Sequence, residues 1–102
     1  MRLYIITGSS RGLGLAIARR ALEEGALVHT VSRHRNDELE SAASDADAQL
    51  TQHEFDLQDV GRIPGLVYDI ISSAASAEGS AIEETMLVNN AGVLEPLGPV
   101  RE

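Results

Sequence analysis

The chain has 102 residues, 43% of them hydrophobic, with no cysteine and a formal net charge of -8. That length supports one domain with one core, and the composition is that of a folded chain. The missing cysteines exclude disulfide and thiolate chemistry and fit a reducing cytoplasm. The acidic balance argues against nucleic acid as a partner, and no apolar run reaches the roughly 18–20 residues that span a bilayer, so no membrane partner is expected. All eight basic residues are arginine, so these residues cannot complete any mechanism that needs a lysine.

Arg2 to Thr7 reads as a first strand, near-continuously apolar as in a parallel strand covered on both faces. It runs into Thr7-Gly8-Ser9-Ser10-Arg11-Gly12-Leu13-Gly14. A strand, a glycine-rich turn and a helix together form a device for holding phosphate. The glycines let the backbone approach the ligand, and the helix N-terminus offers free N–H groups and a partial positive charge. The spacing G-x-x-x-G-x-G differs from G-x-G-x-x-G, and no G-K-[ST] follows, so this is not a P-loop. A tight connection without ligand would use the same glycines.

A helix is expected from about Gly12 to Glu24, with Leu13, Ile17 and Ala21 on one face, extended by Ala18 and Leu22. Gly25 should end it in a left-handed cap. Ala26 to Val31 reads as the second strand, followed by Ser32-Arg33-His34-Arg35. In a dinucleotide fold this position, about 20 residues past the glycine turn, meets the adenosine ribose. An acidic residue there would take the 2′-hydroxyl of NAD. Ser32 and Arg33, with Arg35 nearby and Arg11 in reach, instead suit a 2′-phosphate, hence NADP over NAD. The alternative is a solvated basic loop.

Asn36 or Asp37 can cap a second helix over 37–48, thinly apolar at Leu39, Ala42, Ala43 and Ala46. Its acidic residues read as a solvated face rather than a metal site. The third strand lies within Gln49–Phe55 and closes at Asp56-Leu57. Asp56 can accept from an adenine amino group or can serve as a turn residue. A third helix lies within 59–77, with Pro64 near its first turn, a row of Leu66, Ile70 and Ala74, and a second row of Val67, Ile71 and Ala75. Residues 76–84 read as loop, Thr85 to Val88 as the fourth strand, and the last ten residues as loop. The alternation predicts an α/β, partial Rossmann (doubly wound) fold: a parallel sheet ordered 3-2-1-4 with three crossover helices. The switch point falls between strands one and four, where the glycine turn and Asn89-Asn90-Ala91-Gly92 converge.

Thr7-Gly8-x-x-x-Gly12-x-Gly14, Asp56-Leu57 and Asn89-Asn90-Ala91-Gly92, in this order and at these intervals, resemble the amino-terminal half of a short-chain dehydrogenase/reductase. Leu3 to Thr7, Val31-Ser32-Arg33 and Leu50 to His53 look most like its benzil reductase and sepiapterin reductase-like branch. The resemblance implies that Gly8 to Gly14 wrap a cofactor pyrophosphate and that Ser32, Arg33 and Arg11 take the 2′-phosphate. Asp56 and the Leu57 backbone would meet the adenine, and Asn90, Ala91 and Gly92 would line the nicotinamide-side ribose. For Asn89 bracing of the fourth strand is the expected role.

The family's Ser and Tyr-x-x-x-Lys have no counterpart here. The tyrosines are Tyr4 and Tyr68, and Ser72 rather than lysine stands four residues after Tyr68. Residues 1–102 are therefore expected to be one NADP-binding domain, truncated after strand four and without catalytic residues. A full-length relative would reduce a small-molecule carbonyl substrate with NADPH. A methyltransferase reading would want an acidic residue where Arg33 stands. The competing class is a non-catalytic nucleotide-binding or self-associating module, with the open fourth strand favouring a homo-oligomer.

Overall fold

A computed structural model describes residues 2–8, 12–76 and 82–89. Its elements are β1 (Arg2–Thr7), α1 (Gly12–Glu23), β2 (Leu27–Ser32), α2 (Asp37–Ala46), β3 (Leu50–Glu54), a 3-10 turn (Val60–Arg62), α3 (Ile63–Ser76) and β4 (Glu84–Asn89). The strands form one sheet in the order β3-β2-β1-β4, with every pair parallel. This is the expected doubly wound arrangement, with its switch point between β1 and β4.

The pleat explains how the strands divide their side chains. Ile6 and Val28 point to one face and pack with Ala18, Ala21 and Leu22 of α1 and Leu39 and Ala43 of α2. Leu3, Leu27 and Val31 point to the other, against Leu66, Ile70 and Ala74 of α3. β2 lies between β1 and β3, and all its residues but Ser32 are buried, the polar His29 and Thr30 included. Fully burying a side chain such as Ile6, Leu22 or Leu39 contributes about 1.5–3 kcal/mol each.

Local chemistry sets the helix ends. Gly25 takes φ 81° after α1, the left-handed conformation glycine adopts without strain. Asn36 caps α2, its side chain accepting from the Leu39 N–H at 3.2 Å. α2 stops at Ala46 rather than near residue 48, because Asp47 turns left-handed (φ 53°) and its N–H closes onto the Ala43 and Ser44 carbonyls. Pro64 is the second residue of α3, where its missing N–H costs no helical hydrogen bond.

Two expected faces differ from the observed ones. On α1 the buried residues are Gly14, Ala18, Ala21 and Leu22, whereas Leu13 is 66% exposed. Apolar residues occur around much of this helix, so periodicity alone does not select the packed side. On α3 the Leu66-Ile70-Ala74 row is buried as expected, but Val67 and Ile71 of the second row are exposed.

Candidate functional site

The carboxyl ends of β1, β2 and β4 frame the candidate site. At the end of β1, Thr7 Oγ1 donates to Asn89 Oδ1 at 3.1 Å, with the Val88 carbonyl 3.4 Å away. Thr7 and Asn89 are register partners, so the bond ties together the strand ends that start the two glycine-containing motifs. Asn89 is thus a brace, the role expected of it.

Gly8 follows with φ 68° and donates its N–H to the Val31 carbonyl at 3.0 Å, continuing the ladder toward β2. Gly12 opens α1 with φ 63°, and no described atom lies within 4 Å of where its Cβ would stand. Both positions need glycine for their backbone angle. The first turn of α1 carries no acidic residue, so nothing there opposes an anion at its N-terminus. Gly14 is buried on the packed face of α1, and Leu13 projects outward. Ser9, Ser10 and Arg11 lie outside the described residues, as do Asn90, Ala91 and Gly92.

At the end of β2, Ser32 Oγ donates to the His34 carbonyl at 2.6 Å, tightening the turn. Arg33 is exposed and has no ion-pair partner among the described residues. Arg35 is held instead by Glu40 at 2.8 Å. The two arginines are therefore not equivalent: one side chain is engaged by protein, and the other is available to a ligand. Beyond β3, Asp56 Oδ1 accepts from the Gln58 N–H at 2.9 Å in an Asx turn. Leu57 packs toward Val31, Leu66 and Ile70.

Two polar features were not anticipated from the sequence. Gln52 of β3 reaches Asn36 twice, accepting from its N–H at 2.9 Å and donating to its carbonyl at 3.0 Å, and donates to Glu40 at 2.9 Å. It clamps the segment that leaves Ser32 and Arg33. The second is a pair of imidazoles lying edge to edge, His29 and His53, with planes 17° apart and joined Nδ1 to Nε2 at 2.9 Å. Burial, then His53, pushes His29 down to about 4. Burial also lowers His53, while Asp69 draws it back up. A histidine inside the apolar run Leu27 to Val31 was the available signal.

A cleft of about 420 Å³ lies between the end of β3 and the start of α3, lined by His53, Phe55, Arg62 and Asp69 among others. None of the described glycine-turn residues lines it. Among the described residues no group of three or more His, Cys, Asp or Glu is placed to hold a metal ion, and no helix is long and apolar enough to cross a membrane.

This arrangement suits a nucleotide with a pyrophosphate: one left-handed glycine after the first strand and another opening the first helix, an acid-free first helical turn, and an available guanidinium one strand over. The family model for short chain dehydrogenase matches residues 2–102. The chain belongs to the short-chain dehydrogenase family. A benzil reductase ((S)-benzoin forming) of Bacillus cereus is 41% identical over 102 residues, covering 100% of this chain and 40% of that protein. A solved short-chain dehydrogenase/reductase from Burkholderia vietnamiensis is 33% identical with TM-score 0.71, covering 96% of this chain and 43% of that one. A short chain dehydrogenase from Mycobacterium paratuberculosis, solved bound to NAD, shares the fold at 24% identity and TM-score 0.71, covering 93% and 38%. The chain spans about two fifths of the length of these relatives.

Proposed function

We propose that residues 1–102 are the cofactor-binding part of an NADP-dependent short-chain reductase that acts on a small-molecule carbonyl compound. The single observation that carries the NADP preference is Arg33: exposed, without an ion-pair partner among the described residues, and at the end of β2 where an acidic residue would select NAD. The cofactor, when bound, supplies the hydride.

The chain's own residues bind and orient. Gly8, Ser9, Ser10, Gly12, Leu13 and Gly14 offer backbone to the pyrophosphate, with the α1 N-terminus behind them. Arg33, with Ser32 and Arg11, takes the 2′-phosphate through charge-assisted hydrogen bonds. Asp56 and the Leu57 backbone meet the adenine; the Asx turn engages Asp56 through Oδ1. Asn90, Ala91 and Gly92 line the nicotinamide-side ribose. The proton donor of the reaction is not assigned to any residue of this chain, because Tyr4 and Tyr68 have no lysine to work with. A cytoplasmic location belongs to the same reading.

Chemical-shift mapping with 2′,5′-ADP and 5′-ADP tests the assignment. The expected result is larger perturbation at Gly8–Gly14 and Ser32–Arg33 with the 2′-phosphorylated ligand. Equal perturbation by both ligands, or shifts confined to the β3–α3 cleft, would overturn it.

One observation favours a second reading, a self-associating module. Ile71 is 60% and Leu87 is 68% exposed, with β4 at the end of the described sheet. A strand edge with no partner strand among the described residues, beside exposed apolar side chains, favours pairing with a second copy.

A further inference from the structure

His29 and His53 lie on the α3 face of the sheet at diagonal positions, since His29 is registered with Thr51 and Val31 with His53. His29 is 0% exposed, and its Nε2 has no hydrogen-bond partner among the described residues. The pair therefore holds one N–H···N bond and one buried nitrogen that no described group meets. Of the two neutral tautomers, the better has His29 Nδ1–H donating to His53 Nε2. It leaves only a lone pair at the buried Nε2, and an orphaned lone pair is tolerated better than an orphaned N–H.

We infer that the His29–His53 pair is an acid-sensitive latch that holds the edge strand β3 onto β2. A proton reaches His53 first, because His53 lines the open cleft while His29 is sealed. Protonated His53 carries N–H on both nitrogens, so its Nε2 stops accepting. His29 must then either lose the bond or move its own hydrogen to Nε2, where no described acceptor stands. Either outcome weakens the contact between the strands.

The surroundings offer partial compensation at His53 and none identified at His29. Asp69 of α3 favours a charged His53, and Glu54 of β3 and Arg62 before α3 line the same cleft. Toward His29, β1 presents its register partner Ile5, with Leu3 on the same face, and α3 packs on that face through Leu66, Ile70 and Ala74. None of these is titratable. Because Gln52 of the same strand clamps Asn36 and Glu40, opening the latch also loosens the end of β2. An effect on dinucleotide binding rests on the function proposed above; the latch itself does not.

Hydrogen exchange of the full chain at pH 7.5 and 5.0, corrected for intrinsic rates, tests it. In the wild type the protection of the Leu50–Glu54 amides falls between pH 7.5 and 5.0 on the order of tenfold more than in His53→Gln, as one lost interaction of this kind implies. The amide of that variant can still accept from His29 but does not titrate, which leaves only the His29 proton. An equal fall in the two proteins, or no fall in the wild type, would overturn the latch. If the variant does not fold, 15N NMR of the imidazole nitrogens decides. Protonation at His53 must accompany the β3 change, and neutral imidazoles throughout that change would contradict it.

Discussion

The Thr7 hydroxyl donates to the Asn89 side-chain carbonyl across 3.1 Å, joining the last residue of β1 to the last residue of β4. Two strands far apart in sequence are thereby held at the point where the strand order reverses. Replacing Thr7 with Val keeps the β-branched shape and removes the donor. The expected loss is about 1 kcal/mol, leaving Asn89 without that partner. Urea denaturation checks it: an unchanged midpoint would mean the bond does not contribute.

Gly12 and Gly25 separate backbone conformation from ligand binding. Both have positive φ and open space where a Cβ would stand, so alanine at either meets no described neighbour. Each substitution should cost about 1–2 kcal/mol of stability through the left-handed backbone alone. Only Gly12→Ala should also weaken dinucleotide binding, because Gly25 lies at the opposite end of α1. Thermal melts with and without nucleotide distinguish the two; equal losses of affinity would remove Gly12 from the site.

Much of this architecture was legible in the sequence because several local signals agree. The apolar runs of β1 and β2, Gly25 at the end of α1, Asn36 before α2 and Pro64 at the start of α3 all mark their elements. The packed side of α1 was not legible. Leu13, Leu15 and Ile17 spread apolar surface around the helix, and contact with Ile6 and Val28 decides which side is buried. The Gln52 clamp and the histidine pair depend on register between distant strands, which periodicity does not report. At the site, the arginines after β2 were legible as a group, but the pairing of Arg35 with Glu40 that separates it from Arg33 depends on the placement of α2.

Acid should destabilise the fold through His29. Its folded value is lowered to about 4 from 6.5, so the unfolded chain binds the proton more tightly. Stability is then fully present above the unfolded value and is lost as pH falls through the window from 6.5 toward 4. Between pH 7.5 and 5 the expected loss from this residue is about 2 kcal/mol. Denaturation midpoints across that range check the sign; a midpoint that rises on acidification would contradict it.

The exposed apolar residues predict concentration-dependent association. Leu87→Ser and Ile71→Ser should shift the wild-type chain toward monomer in sedimentation velocity. A wild-type chain that remains monomeric at high concentration would remove the self-association reading.

The most direct test of the cofactor assignment is calorimetric titration of the chain with NADPH and with NADH, repeated for Arg33→Ala. The wild type should prefer NADPH, and the substitution should cost about 1.5–3 kcal/mol of NADPH binding, on the order of 10- to 100-fold, while leaving NADH unchanged. Equal binding of the two nucleotides by the wild type, or an equal loss of both in the variant, would contradict recognition of the 2′-phosphate by Arg33.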